Sequence, residues 1–296
     1  MNDIELIAQL NDINGESPIW DPREAAVYWC DTDKTFVHRY DPATGRVDSF
    51  KIDRLVRAVG RAGKDQWILV TPDALVLWKK GDATTRVLAE PEQGHTDLVL
   101  NDGAVDPQGR YVVGAFNAKE LDAPDGNLWS IDGGGKITRL DTGLRLPNGI
   151  AFSRDGRTLY VTEMRGNRIL AYAYDPHKGH TGNRRVFTEV PKETGRPDGL
   201  IIDREGYLWS AHWLGWRITR YSPTGTVDHV LELPFATATC MTFGGPNLND
   251  LYISTATKKL SAEDLRRSNN PGGLFRIATK YVGVVEPEFA SYQWKA

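Results

Sequence analysis

Sulfur is scarce in this chain of 296 residues, which carries two cysteines and three methionines. Cys30 and Cys240 lie in β-rich stretches without CxxC spacing, so they offer no disulfide framework and nothing for thiol catalysis. They read as buried free thiols acting as small apolar residues. Charge of one sign is also missing: the formal net charge is −3 with the signs interspersed, which leaves no basic face for nucleic acid. No stretch of about 18 apolar residues is present to span a bilayer, and the start, Met1-Asn2-Asp3-Ile4-Glu5, is acidic where a secretory leader would be basic. These absences predict a soluble, cytoplasmic protein with neither nucleic acid nor membrane as partner; they leave the oligomeric state open. Linkers rich in Ser and Pro, or in charge, are lacking, so residues 1–296 are expected to form one domain. Ser17 and Ser153 have no nucleophile-elbow context, and no helix follows Gly133-Gly134-Gly135 to cradle a phosphate. His177 and His180 fall in a polar loop and read as solvated turn residues.

What the chain does have is an internal repeat. Glu16, Asn101, Asn148 and Asp198 each stand four places before an apolar residue (Trp20, Val105, Phe152, Ile202) that leads into a short turn and then a β-rich run. Asn101 and Asn148 are 47 positions apart, Asn148 and Asp198 are 50 apart, close to the roughly 40–50-residue period of propeller blades. Segments 26–30, 111–115, 158–162, 207–211 and 250–254 fill a second-strand slot, rich in aromatic and β-branched residues. Segments 36–40, 127–131, 168–172, 217–221 and 273–277 fill a third, several ending in Asp-Pro or Ser-Pro turns. Six units begin near residues 16, 55, 101, 148, 198 and 239, the second recognisable from 67–70 and 74–78. The predicted fold is all-β, a six-bladed β-propeller, with residues 4–10 forming a strand that completes the last blade and closes the ring.

Equivalent positions in such a ring converge at its axis, so two carboxylates and two amides would meet around one point. Asn148-Gly149 and Asp198-Gly199 taken singly are turn formers. Four oxygen-bearing side chains in one register, two of them after Pro147 and Pro197, point instead to a site for a hard divalent cation. Blades two and six place Leu55 and Thr239 in that slot, so the ring is expected to be polar on one side and blander on the other. His212, after the second-strand slot of blade five, either reaches the same mouth or is a satisfied structural histidine.

Several phrases occur in order and at blade spacing: Gly15-Glu16-Ser17-Pro18-Ile19-Trp20, Asn101-Asp102-Gly103, Pro147-Asn148-Gly149-Ile150-Ala151-Phe152, Arg196-Pro197-Asp198-Gly199 and Phe243-Gly244-Gly245. Over nearly its whole length the chain resembles the senescence-marker-protein-30, gluconolactonase and luciferin-regenerating-enzyme family. The resemblance implies a single divalent metal held by Glu16, Asn148 and Asp198, with Asn101 behind them or on the substrate, and hydrolysis of sugar lactones. It also implies an acid/base role for Asp198; on the chemistry of the residues alone, Asp102 is the rival base. Many family members carry an Arg two residues before the Asn-Asp-Gly; here that position is Val99, and Glu120 stands as the counterpart of an acidic residue from the following loop.

The expected function is therefore a metal-dependent aldonolactone hydrolase of sugar catabolism, opening a cyclic ester with water. In this reading Asn101, Glu120 and His212 bind sugar hydroxyls. The oxygen-only donor set does not choose among Ca, Mg, Mn, Zn and Fe(II). Two alternatives remain open: another metal-dependent hydrolase, an esterase or phosphotriesterase, on the same propeller, or a metal-stabilised binding scaffold without turnover.

Overall fold

A computed structural model describes residues 4–290. Within them, six four-stranded antiparallel sheets follow one another around a ring. Blade one is formed by Gly15–Asp21, Ala26–Asp31, Phe36–Asp41 and Arg46–Lys51, counted from the axis outward. The inner strands of blades two to six are Ala58–Arg61, Leu98–Val105, Pro147–Phe152, Arg196–Ile202 and Ala238–Gly244. The second- and third-strand slots read from the sequence are occupied by strands in every blade. In the last blade Gly273–Ala278 is covered by Ile4–Gln9, with Ile4 opposite Ile277 and Gln9 opposite Gly273, so the N-terminal strand closes the ring as expected.

Burial falls from hub to rim, and composition follows it. The second strand Ala26–Asp31 is buried throughout, because both of its faces meet neighbouring blades, whereas the outer strands Arg46–Lys51 and Val227–Glu232 are largely exposed and polar. The hydrophobic core is divided accordingly. Six apolar clusters occur among the described residues, each joining two adjacent blades, the last joining blade six to blade one through Ala8, Leu274, Tyr252, Trp29 and Trp20. Large aromatics bridge these seams: Tyr28 and Trp67 lie 4.0 Å apart between ring centres, and Trp209 meets Phe243 edge-on at 5.5 Å. Full burial of each such side chain contributes roughly 1.5–3 kcal/mol, so the seams, rather than any one sheet, hold the ring.

Five of the six inner strands carry a bulge at the repeat position or immediately beyond it, between Glu16 and Ile19, Leu100 and Gly103, Asn148 and Ile150, Pro197 and Leu200, and Ala238 and Cys240. The bulge turns one side chain toward the axis. Blade two pairs without one. Counting back four residues from its apolar position therefore overshoots: Leu55 precedes the strand and is 38% exposed, and the residue that reaches the mouth is Arg57. Thr239 is buried and gives its hydroxyl to Gly15 O at the seam between the last and first blades.

Cys30 and Cys240 are free and buried, as expected, and burial pushes both thiols up. The connection between the second and third strands of blade six contains a short helix, Ala262–Arg267, capped by Ser261, that the repeat pattern did not signal. No helix among the described residues is long and apolar enough to cross a membrane.

Candidate active site

The N-terminal ends of the inner strands converge on a cavity of about 330 Å³, the size that suits one sugar ring. Glu16, Asn101, Asn148 and Asp198 all line it, so the four repeat positions meet at one mouth. Arg57 joins them from blade two. The ends of second strands and the connections that follow them build a wall around the mouth: Phe116 and Leu121 from blade three, Met164 and Arg165 from blade four, Trp213 and Leu214 from blade five, Lys258 and Lys259 from blade six.

Close approach of the inner strands sets the local sequence. A Cβ on Gly149 would collide with Asp198 O, and one on Gly199 would lie 2.5 Å from Cys240 Sγ. The Asn-Gly and Asp-Gly pairs are thus demanded by crowding at the hub. Ser17, beside Glu16, is held at φ 50°, and the wall residues Leu146, Leu214 and Lys259 at φ 53°, 55° and 58°. Non-glycine residues rarely adopt this left-handed conformation; of the twelve that do so among the described residues, Leu146, Leu214 and Lys259 line this mouth.

Asp198 is fully buried, and its backbone carbonyl accepts the Thr162 hydroxyl at 2.8 Å. Its Oδ1 accepts from Asn148 Nδ2, whereas its Oδ2 is buried with no partner. Asn148 Oδ1 accepts the Gly149 N–H at 3.1 Å. Burial drives the Glu16 carboxyl well above its ordinary range, and the charges of Asp198 and Asp102 push it further. Burial and Asp102 do the same to Asp198. Carboxylates crowded in this way favour either a proton or a cation between them. Among the described residues no three His, Cys, Asp or Glu side chains gather as a metal cluster, so any cation site here rests on two carboxylates and an amide. The orphaned Asp198 oxygen and this all-oxygen set fit a hard divalent ion.

The remaining candidates separate. Asn101 Nδ2 donates to Pro147 O at 3.2 Å and its side chain lines the mouth. Asp102 faces the other way, into a tunnel of about 310 Å³ running down the axis, where it accepts the Gly103 N–H at 2.8 Å and its carboxyl is pushed up to about 6 by burial. Glu120 is exposed on the loop whose next residue, Leu121, is in the wall; its own side chain does not line the cavity. His212 is 1% exposed, holds Thr194 O through Nδ1 at 2.8 Å and stands outside the lining; burial lowers it to about 4, which keeps it neutral.

Sequence reasoning missed Arg57, Arg165 and Arg196, which all line the mouth. Arg196 stood in plain view two residues before Asp198, while Arg57 was hidden by the missing bulge. Arg165 rides on the turn Met164–Gly166, fixed from beneath by the buried Glu163, whose carboxylate accepts the Arg145 N–H at 3.0 Å and the Arg168 guanidinium. Burial, and then the neighbouring Arg165 charge, depress the Arg196 guanidinium. Its side chain makes no hydrogen bond or ion pair among the described residues.

Fold and mouth together define a six-bladed propeller with a carboxylate and amide cluster at the hub. The description of the SMP-30/gluconolactonase/LRE-like region matches residues 14–257, and the chain belongs to that family. A pentonolactonase from Haloferax volcanii is 34% identical, the alignment covering 94% of each chain. A 6-deoxy-6-sulfogluconolactonase from Pseudomonas putida is 30% identical over 97% of this chain and 98% of its own. Among solved structures, a calcium-binding protein, regucalcin, from Agrobacterium tumefaciens superposes with a TM-score of 0.91 at 25% identity, covering 97% of both chains. The curated relatives thus include lactonases, enzymes that hydrolyse cyclic esters.

Proposed function

We propose that this chain is a metal-dependent sugar lactonase, with Glu16, Asn148 and Asp198 as the cation's ligands. The observation that carries the reading is the unpartnered Oδ2 of buried Asp198, set in the same cavity as Glu16 and Asn148. A divalent cation bound there would supply positive charge to the lactone carbonyl oxygen as it becomes anionic. Two carboxylates offset that charge and the amide adds a neutral donor.

Hydrolysis adds water to the carbonyl carbon, breaks the bond to the ring oxygen and leaves a hydroxy acid. Asp198 takes the proton from the attacking water and returns it to the departing ring oxygen. Its position in the mouth favours it over Asp102, which lines the tunnel. Asp102 contributes charge instead, its carboxylate repelling a second negative charge on Asp198. Asn101 offers its amide to a sugar hydroxyl, and Phe116, Met164 and Trp213 exclude water from the ring's apolar face. The position of Glu120 and His212 outside the lining gives them no direct part in this scheme.

The test is hydrolysis of pentono- and hexonolactones, aryl esters and phosphotriesters by chelator-treated protein reconstituted with single cations. Asp198→Asn should lower kcat by about 10²–10⁴-fold and weaken cation binding in calorimetry, while its thermal transition stays cooperative. Full activity of that variant would refute the assignment, and preference for aryl esters or phosphotriesters would move the substrate class.

A further inference from the structure

Cations stand around the mouth above the ligands at the hub. Arg57, Arg165, Arg196, Lys258 and Lys259 surround the mouth. Arg57 lies near Glu16 and partly offsets its charge. Lys258 is held by Asp33 at 2.7 Å. Arg165 has one carboxylate near, Asp122 at 3.3 Å from Nε, but that side chain is 76% exposed and such contacts are worth little. Arg165 Nε itself is buried without a hydrogen bond. Arg196 lines the same mouth with no hydrogen bond or ion pair among the described residues; Arg165 and the exposed Asp122 are its charged neighbours and act on it in opposite directions. Two guanidiniums, half-buried side by side with their planar forks unfilled, are a costly arrangement unless an anion comes between them.

We propose that the substrate carries, besides its ring ester, an anionic substituent on the carbon remote from the carbonyl, and that Arg165 and Arg196 bind that group. The inference rests on the lactonase reading and narrows its substrate class to acidic sugar lactones bearing a carboxylate, sulfonate or phosphate. The geometry separates the two ends of the ligand: the ester sits at the hub by Glu16, Asn148 and Asp198, while the arginines stand on the wall, on the turn Met164–Gly166 and at the entry of the blade-five inner strand. Hydrolysis consumes one water and converts a lactone with one anionic group into an acid with two, releasing one proton. The new carboxylate forms at the hub, so the wall arginines contact the group present from the start.

Matched substrates decide this. Rates of the cation-reconstituted protein are measured on a hexonolactone with a 6-hydroxyl and on the same ring bearing a 6-carboxylate, 6-sulfonate or 6-phosphate. We expect kcat/KM to favour an anionic member at least ten-fold at low salt, the ratio shrinking as ionic strength rises. Arg165→Ala and Arg196→Ala should each reduce that ratio at least ten-fold, chiefly through KM, and Arg196→Lys should restore part of it. The anion with the largest ratio names the substituent. A ratio near one in the wild type, or variants that slow both members of each pair alike, would overturn the proposal. If no lactone is opened, the lactonase reading fails, and calorimetry with the ring-opened acids decides the inference separately. Binding of the dianionic acid ten-fold tighter than the monoanionic one, lost in the arginine variants, supports it; equal affinities sink it.

Discussion

Glu286 shows how a single residue couples the tunnel to stability. It sits on the segment that crosses the far end of the tunnel, with Arg61 bonded to its carbonyl and to Glu288 at 2.9 Å. Burial raises its carboxyl from 4.5 to about 7, Arg61 opposes the rise and Asp102 adds to it. The folded chain therefore holds a proton that the unfolded chain releases near the ordinary value. Stability falls as pH rises across that window, and the loss is complete above the folded value. The upper bound is about 3 kcal/mol, reduced by whatever water enters the tunnel. Glu286→Gln should flatten the decline in denaturant midpoint between pH 5 and pH 8; parallel curves for variant and wild type would contradict this. At this scale the sequence was legible where one register repeats: three bulged strands bring Glu16, Asn148 and Asp198 to one mouth. Arg57 was not, since its strand lacks the bulge, and His212 could not be placed because spacing does not tell which way a buried ring turns.

Inner strands are limited by how closely they approach one another. Gly149 faces the backbone of the next blade with no room for a methyl group, whereas Gly45, in a rim turn at φ 71°, has open space around it. Gly149→Ala should cost about 3 kcal/mol, as overpacking against backbone does, and should also displace Asp198. Gly45→Ala should cost only about 1 kcal/mol, through its backbone conformation alone. Urea unfolding of the two variants measures the contrast; similar losses would mean the hub relaxes freely. The strands themselves were readable from aromatic and β-branched runs. The reason for the hub glycines was not, because Asn-Gly and Asp-Gly look the same in a turn and in a crowded bulge. The wall was equally opaque, since Leu121, Met164 and Lys258 belong to connections that follow no repeat, and spacing alone does not tell that Phe116 and Trp213 end their strands at the mouth.

Across the whole molecule, closure rests on Ile4–Gln9, whose removal would leave Gly273–Ala278 as an uncovered edge. A chain lacking residues 1–9 should lose roughly 5–10 °C in Tm and form dimers or larger species in size-exclusion chromatography. An unchanged monomeric profile and transition would show that the seams between blades suffice. This closure was legible because an alternating strand precedes the first repeat and the last repeat is one strand short.

The connections raised around the mouth are unequal. Blades three to six each send residues from the end of the second strand or from the connection after it into the lining, long connections at 118–125 and 256–272 and short ones at 164–167 and 214–216, while the tight turns at 32–35 and 71–74 of blades one and two contribute none. The cup therefore has a spout. A small molecule meets its lowest barrier when it arrives sideways over the first two blades and slides inward until it strikes the far bank, and the released acid must back out along the same ramp. Lengthening either tight turn would throttle traffic in both directions without touching a single ligand at the hub.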